Sequence, residues 1–192
     1  MSNHPVRPGR KRSEESRLAI LTAALELTAE LGYAGLTVDG IAARAGTGKQ
    51  TIYRWWPSKA DVLFDAMAAK ADLFVPIPDE GHFAEDLRRF LTASFALAAK
   101  KPLGDALRAL MAHAQLDDEF RARFWKSFLQ RRREALGVLL DRATARGELT
   151  ASAESVADIV FGVIWYRLLT DRPLDGQLAE ELVTLLSGRV SA

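Results

Sequence analysis

Residues 36–63 read LTVDGIAARAGTGKQTIYRWWPSKADVL, and the spacing inside this stretch decides the fold. Thr37 suits a helix N-cap, and Val38, Ile41, Ala42 and Ala45 follow it at helical spacing. Ala45-Gly46-Thr47-Gly48 then interrupts the helix with two glycines. The next helix, about 48–55, is too short and too polar to exist for packing alone. Lys49, Gln50, Thr51, Tyr53 and Arg54 crowd hydrogen-bond donors and a ring onto about two turns. Two short helices on a tight turn, the second of them polar, are how a helix-turn-helix presents a recognition helix to the major groove. Pro57 stops that helix, and Ser58 caps a fourth, running to about residue 74.

Upstream, Ser13 is a good N-cap with Glu14 and Glu15 at the positive end of the helix dipole. Ile20, Ala24, Leu27 and Leu31 repeat on one face, and Gly32 closes the helix. Residues 1–12 hold two prolines and the basic run Arg10-Lys11-Arg12, and are expected to form a flexible arm. Downstream, the two prolines and the glycine within 75–81 cannot continue a helix, so a domain boundary is expected there, dividing the chain into 13–75 and 76–192. Beyond it the pattern is again helical, at about 83–100, 103–115, 118–146, 153–170 and 175–187. No window alternates like a strand, so the chain reads as all-α.

The net charge of +1 hides an asymmetry: residues 1–60 carry nine Lys/Arg against five acids, the remainder 17 against 20. A basic head on a mildly acidic body suits a polyanionic partner at the head. There is no cysteine, which excludes disulfide and thiolate chemistry. No apolar run approaches 18 residues, so no membrane span is expected, and the basic N-terminus lacks the apolar core of a secretory signal. Gly48-Lys49 fails as a phosphate loop, because Ala43 and Gln50 occupy positions that need glycine and a hydroxyl. His113 and Asp117 have metal-pair spacing, but no third ligand is suggested, and no hydrolase signature is present. Neither a cofactor nor an enzymatic activity is expected.

Residues 20–63 resemble the N-terminal domain of TetR-family transcriptional regulators. The Gly32-Tyr33 corner, the Thr37-Val38 cap, Ile41-Ala42-x-x-Ala45-Gly46, Tyr53 and Pro57-Ser58-Lys59 carry the resemblance. Beyond residue 63 the likeness is in helix layout alone. Lys49, Gln50 and Thr51 sit in the first turn of the recognition helix, the part that reaches base edges. Tyr53, Arg54 and Lys59 are placed for phosphates, and Thr37 can offer its hydroxyl and the following amides to another. Arg10, Lys11 and Arg12 would enter an adjacent minor groove or serve as a solubilising tail. Gly48 stands where the family commonly has serine, and Trp55 where it commonly has histidine. Trp55 would pack on the sugar-phosphate backbone or cover the start of the fourth helix. Arg44 is suited to a phosphate or to a salt bridge, and Arg131-Arg132-Arg133 to a second DNA contact or a solvated face paired with acids.

The resemblance implies a cytoplasmic homodimer on double-stranded DNA with a palindromic operator, its heads about 34–36 Å apart or a multiple. Val156, Ile159, Val160, Val163 and Ile164 on one helix, with Leu178, Leu182 and Leu185 on the last, are the expected interface. It also implies a C-terminal helical domain that binds a small apolar or aromatic effector. Phe90, Phe95, Leu110, His113, Phe124 and Trp125 are expected pocket residues, with Phe128, Trp165 and Tyr166. A ligand-relieved repressor is the function these features imply. A DNA-binding protein with a purely structural body, or a helical carrier or enzyme with a helix-turn-helix-like head, are the readings that would replace it.

Overall fold

The computed structural model describes residues 8–71, 77–149 and 151–188, and among these no strand occurs. The helices are α1 (Pro8–Gly35), α2 (Val38–Arg44), α3 (Lys49–Tyr53), α4 (Lys59–Ala71), α5 (Phe83–Ala99), α6 (Lys101–His113), α7 (Asp118–Phe124), α8 (Gln130–Ala145), α9 (Ala153–Leu169) and α10 (Gly176–Ser187). The helix expected over 118–146 is continuous from α7 into α8, but Trp125–Leu129 forms a π-turn within it. Such bulges insert a residue into the helical ladder and occur often at functional sites.

Local backbone constraints fix the turns of the head. Gly32 has φ +68° and ψ 172°, a conformation essentially reserved for glycine, and it kinks the end of α1. Leu31 therefore faces solvent at 58% exposure, while Ile20, Ala24 and Leu27 are buried. Thr37 Oγ1 accepts from the Gly40 amide at 3.0 Å, as an N-cap should. Gly46 turns between α2 and α3 at φ +63°. Ser58 and Asp61 exchange hydrogen bonds at the start of α4, a capping box.

One expectation at the N-terminus is corrected. The backbone is helical from Pro8, so residues 8–12 extend α1 where a flexible arm was expected. Residues 1–7 and the side chains of Arg10, Lys11 and Arg12 lie outside the described residues. The segment Ser13–Gly35 is long and apolar enough to cross a membrane by length and hydropathy. Here its apolar face is core: Ile20, Ala23, Ala24 and Leu27 are buried, and α1 packs on α4 and α6.

Two hydrophobic cores organise the chain. The first contains Ile20, Ile41, Ile52, Trp56 and Leu63 from the head, and continues into Leu110, Met111, Phe120 and Phe124. The second holds Phe83, Leu87, Phe90 and Phe95 with α8, α9 and α10. The first core thus holds residues from both sides of the boundary expected at 75–81.

Candidate DNA interface and effector cavity

α3 spans only five residues and buries one of them, Ile52. Lys49, Gln50, Tyr53 and Arg54 are exposed, Tyr53 by 55%. Ile41, Ala42, Ile52 and Trp56 lock α2 and α3 together from beneath. Trp56 donates its indole N–H to Asp65 at 2.9 Å, and Arg17 reaches the same carboxylate at 3.3 Å, which ties α1 to the middle of α4. Trp55 is half-buried edge-on against Trp56, and the Arg54 guanidinium lies 5.1 Å from its ring centre. Trp55 thus packs against the first core and carries Arg54 over its ring.

The cations of this face differ in what already holds them. Lys49 pairs with Asp39 on α2, and that hydrogen bond raises the ammonium pKa above its ordinary value. Arg44 is gripped in a fork by Glu30, at 3.0 and 2.8 Å, with Glu26 at 3.5 Å, which raises its pKa and lowers that of Glu30. The salt-bridge alternative for Arg44 is therefore the one observed. Lys59, expected at a phosphate, is held within the protomer. Its Nζ donates to the carbonyls of Tyr33 at 3.0 Å and Leu36 at 2.8 Å, and sits 4.5 Å from the Tyr33 ring centre. It staples α4 to the α1–α2 corner, leaving one N–H for any outside acceptor.

A cavity of about 390 Å³ opens between α4, α5, α6, the π-turn and α9. Met67, Leu97, Leu107, Met111, Phe161 and Leu168 are among its apolar walls; Ser94, Arg132, Arg133 and Asp158 are its polar groups. Its size lies within the range of small-molecule sites. Next to it, Phe120, Phe124 and Phe128 stack at successive turns, with ring centres 6.0 and 5.5 Å apart. Phe64 on α4 meets Phe120 and Phe124 edge-on at 6.0 and 5.7 Å. This aromatic ladder runs from the cavity wall, Phe128, to the helix that carries the reading head. Beside it, Arg123 on α7 bonds the buried Asp61 of α4 at 2.6 Å.

Residues 20–66 match the model of the bacterial regulatory proteins of the tetR family, and residues 77–186 match the tetracyclin repressor-like C-terminal domain. The chain belongs to the TetR family. It is a DNA-binding transcriptional regulator, a class without enzymatic activity. A relative, the uncharacterized HTH-type transcriptional regulator YdeS of Bacillus subtilis, is 39% identical over 84% of this chain and 82% of its own length. The DNA-binding transcriptional repressor TetR of Mycobacteroides abscessus is 28% identical over 91% of this chain and 95% of its own. Among solved structures, the TetR family regulator SCO0332 superposes with a TM-score of 0.71 at 30% identity, covering 91% and 98% of the two chains. At 24% identity the fold is shared with Bacillus subtilis FadR in complex with stearoyl-CoA (TM-score 0.71, covering 89% and 97%). It is also shared with AibR in complex with isovaleryl coenzyme A and operator DNA (TM-score 0.64, covering 90% and 98%).

Within this TetR-family chain, Trp125, Phe128 and Trp165, three of the expected pocket residues, line the cavity. The other expected pocket residues lie elsewhere. Phe90 and Phe95 belong to the second core, and Leu110 and Phe124 to the first. Tyr166 points outward at 58% exposure. His113 packs edge-on against Phe120 at 4.9 Å, with Asp117 3.8 Å from its Nε2. Arg132 was missed as a cavity residue because it sits inside a run of three arginines that reads as solvated. Only Arg133 of the two that line the cavity fits that reading, bonding Asp158 at 2.7 Å.

The expected dimer residues also divide. Val156, Val160, Leu178 and Leu182 are buried inside the protomer's second core and are not available to a partner; Val163 and Ile164 are half-buried against the cores. Ile159 and Leu185 remain exposed, together with Tyr166 and Leu169. The correction has a simple cause. Helix α9 is apolar nearly all round, so periodicity alone cannot divide its inner face from its outer one.

Proposed function

We propose that this protein is a ligand-relieved repressor that binds a palindromic operator as a homodimer. The observation that carries this reading is the aromatic ladder, which places the cavity wall and the α4 support of the reading head in one packed core. A ligand that repacks Phe128 acts on α4 through direct contacts. It shifts the head toward a geometry that fits the operator less well, and the loss of affinity equals its preference for that state. The cavity's walls suit an effector with an apolar chain, and AibR, of the same fold, is a protein that holds both an acyl-coenzyme A and operator DNA. The kinship with the repressor of Mycobacteroides abscessus supports repression over activation.

Ile159, Tyr166, Leu169 and Leu185 give α9 and α10 an exposed apolar face, which supports a two-fold interface there. At the operator, Lys49, Gln50 and Thr51 read base edges, while Tyr53, Arg54 and the Thr37 cap hold phosphates. Lys49 must exchange Asp39 for DNA. A cytoplasmic location follows from this role. Selection of bound sequences from random duplex DNA, with the purified full chain at moderate salt, tests the reading. A palindrome with half-sites about 10 bp apart, or a multiple, is expected. A single asymmetric half-site removes the dimer, and failure to enrich any sequence removes the operator.

A further inference from the structure

We infer that the effector carries an anionic group, a carboxylate or a phosphate, and that Arg132 receives it at the wall of the cavity while an apolar chain fills the interior. The inference rests on the ligand-responsive reading above and adds the ligand's charge and the residue that recognises it.

Arg132 lies in the first turn of α8, three residues after the π-turn ends. Its guanidinium lies 4.6 Å from the centre of the Phe128 ring, the last rung of the aromatic ladder. Among the described residues it has no carboxylate or carbonyl partner, in contrast to Arg133, whose charge Asp158 answers at 2.7 Å. Burial alone pushes the Arg132 pKa down, to about 10, so the group remains charged at neutral pH. A half-buried cation without a counter-ion is a standing cost to the folded protein. It persists where an outside anion completes the site, and a planar guanidinium binds a carboxylate or phosphate through two parallel hydrogen bonds. The rest of the wall offers no competing cation, since Arg133 is paired and the other lining groups are apolar or neutral apart from Asp158.

The position also gives the anion leverage. Phe120, Phe124, Phe128 and Arg132 follow one another at four-residue spacing, each ring stacked on the next and the guanidinium on the last. Drawing Arg132 toward an anion removes the cation from the Phe128 face at the π-turn, where the backbone ladder is already interrupted.

The test uses the full-length protein with hexanoate, dodecanoate, their coenzyme A thioesters and the matching primary alcohols, with binding followed by calorimetry. Wild type is expected to bind at least one anionic probe about tenfold or more tightly than the alcohol of the same chain length. Arg132→Met is expected to erase that preference to within about twofold, and Arg132→Lys to retain part of it. Preference for the free acid assigns the anion to a carboxylate; preference for the thioester assigns it to the phosphates of the coenzyme. In the ligand-free state Arg132→Met should unfold at an equal or higher temperature, which separates lost recognition from lost folding. Equal binding of alcohols and anions by wild type, or an unchanged preference in Arg132→Met, overturns the anion site and leaves the cavity intact. Absence of binding by every probe overturns both the anion site and the effector reading.

Discussion

The two cores of this molecule have similar chemistry and opposite placement. The second, of α5, α8, α9 and α10, closes on itself and joins one part of the body to another. The first begins beneath the recognition helix and ends beside the cavity. The buried carboxylates follow the same division: Asp86, fully buried, is held by Arg146 and the Glu80 amide within the body, whereas Asp61 joins head to body through Arg123. The difference teaches that a regulator of this kind needs one core as scaffold and one as transmission. Because packed interiors resist small deformations, the proposed effector would displace the transmission core as a unit.

The sharpest way to break this comparison is to delete one ring from each core. Phe124→Ala and Phe90→Ala should each cost about 3–5 kcal/mol in urea unfolding, since both rings are almost fully buried. Only Phe124→Ala should also blunt the effect of a cavity ligand on operator binding. Equal blunting by both would dissolve the distinction. Next in size, Asp61→Asn keeps the shape of the side chain but removes the charge that holds Arg123. A loss of about 1–3 kcal/mol is expected in the same assay, with a weaker link between ligand and DNA.

Two lysines sharpen the head's end of the comparison. Lys49→Ala should weaken operator binding by about 1–3 kcal/mol in fluorescence anisotropy, leaving the unfolding midpoint nearly unchanged. Lys59→Ala should do the reverse, because its ammonium serves two backbone carbonyls. The smallest effect belongs to the scaffold. The Phe83 amide donating to Glu148, with Arg146 beside it, holds that carboxyl below its ordinary value. Its contribution is therefore complete above the unfolded-state pKa of about 4.3 and disappears as pH falls through the lower folded value. Glu148→Gln should flatten the fall of thermal stability below about pH 4.3, and an unchanged acid limb would remove this contribution.

The reading head was legible in the sequence because backbone constraints announce themselves locally. Thr37 as a cap, Gly46 at positive φ and the polar first turn of α3 are each fixed by neighbours within a few residues. The structural bonds of Lys59 were not legible because its partners, Tyr33 and Leu36, lie on another helix corner. The cavity was only partly legible. Large aromatics mark where apolar surface must be buried, but spacing does not tell a wall from a filled core. Phe124 and Phe128 are four residues apart, and only Phe128 lines the cavity. Arg132 and Arg133 are adjacent, and only the fold reveals that Asp158 answers one of them. The expected dimer face divides in the same way, with Val160 inside the protomer and Ile159 outside it.

The claim that the first core transmits cavity occupancy to the head is tested most directly by one titration. Operator affinity is measured by anisotropy with and without a saturating cavity ligand, dodecanoyl-coenzyme A, its occupancy fixed by calorimetry on the same samples. The account predicts a loss of operator affinity of about tenfold or more in wild type and in Phe90→Leu, and of less than about threefold in Phe124→Leu. Unchanged operator affinity in ligand-saturated wild type, or equal losses in the two variants, would contradict it.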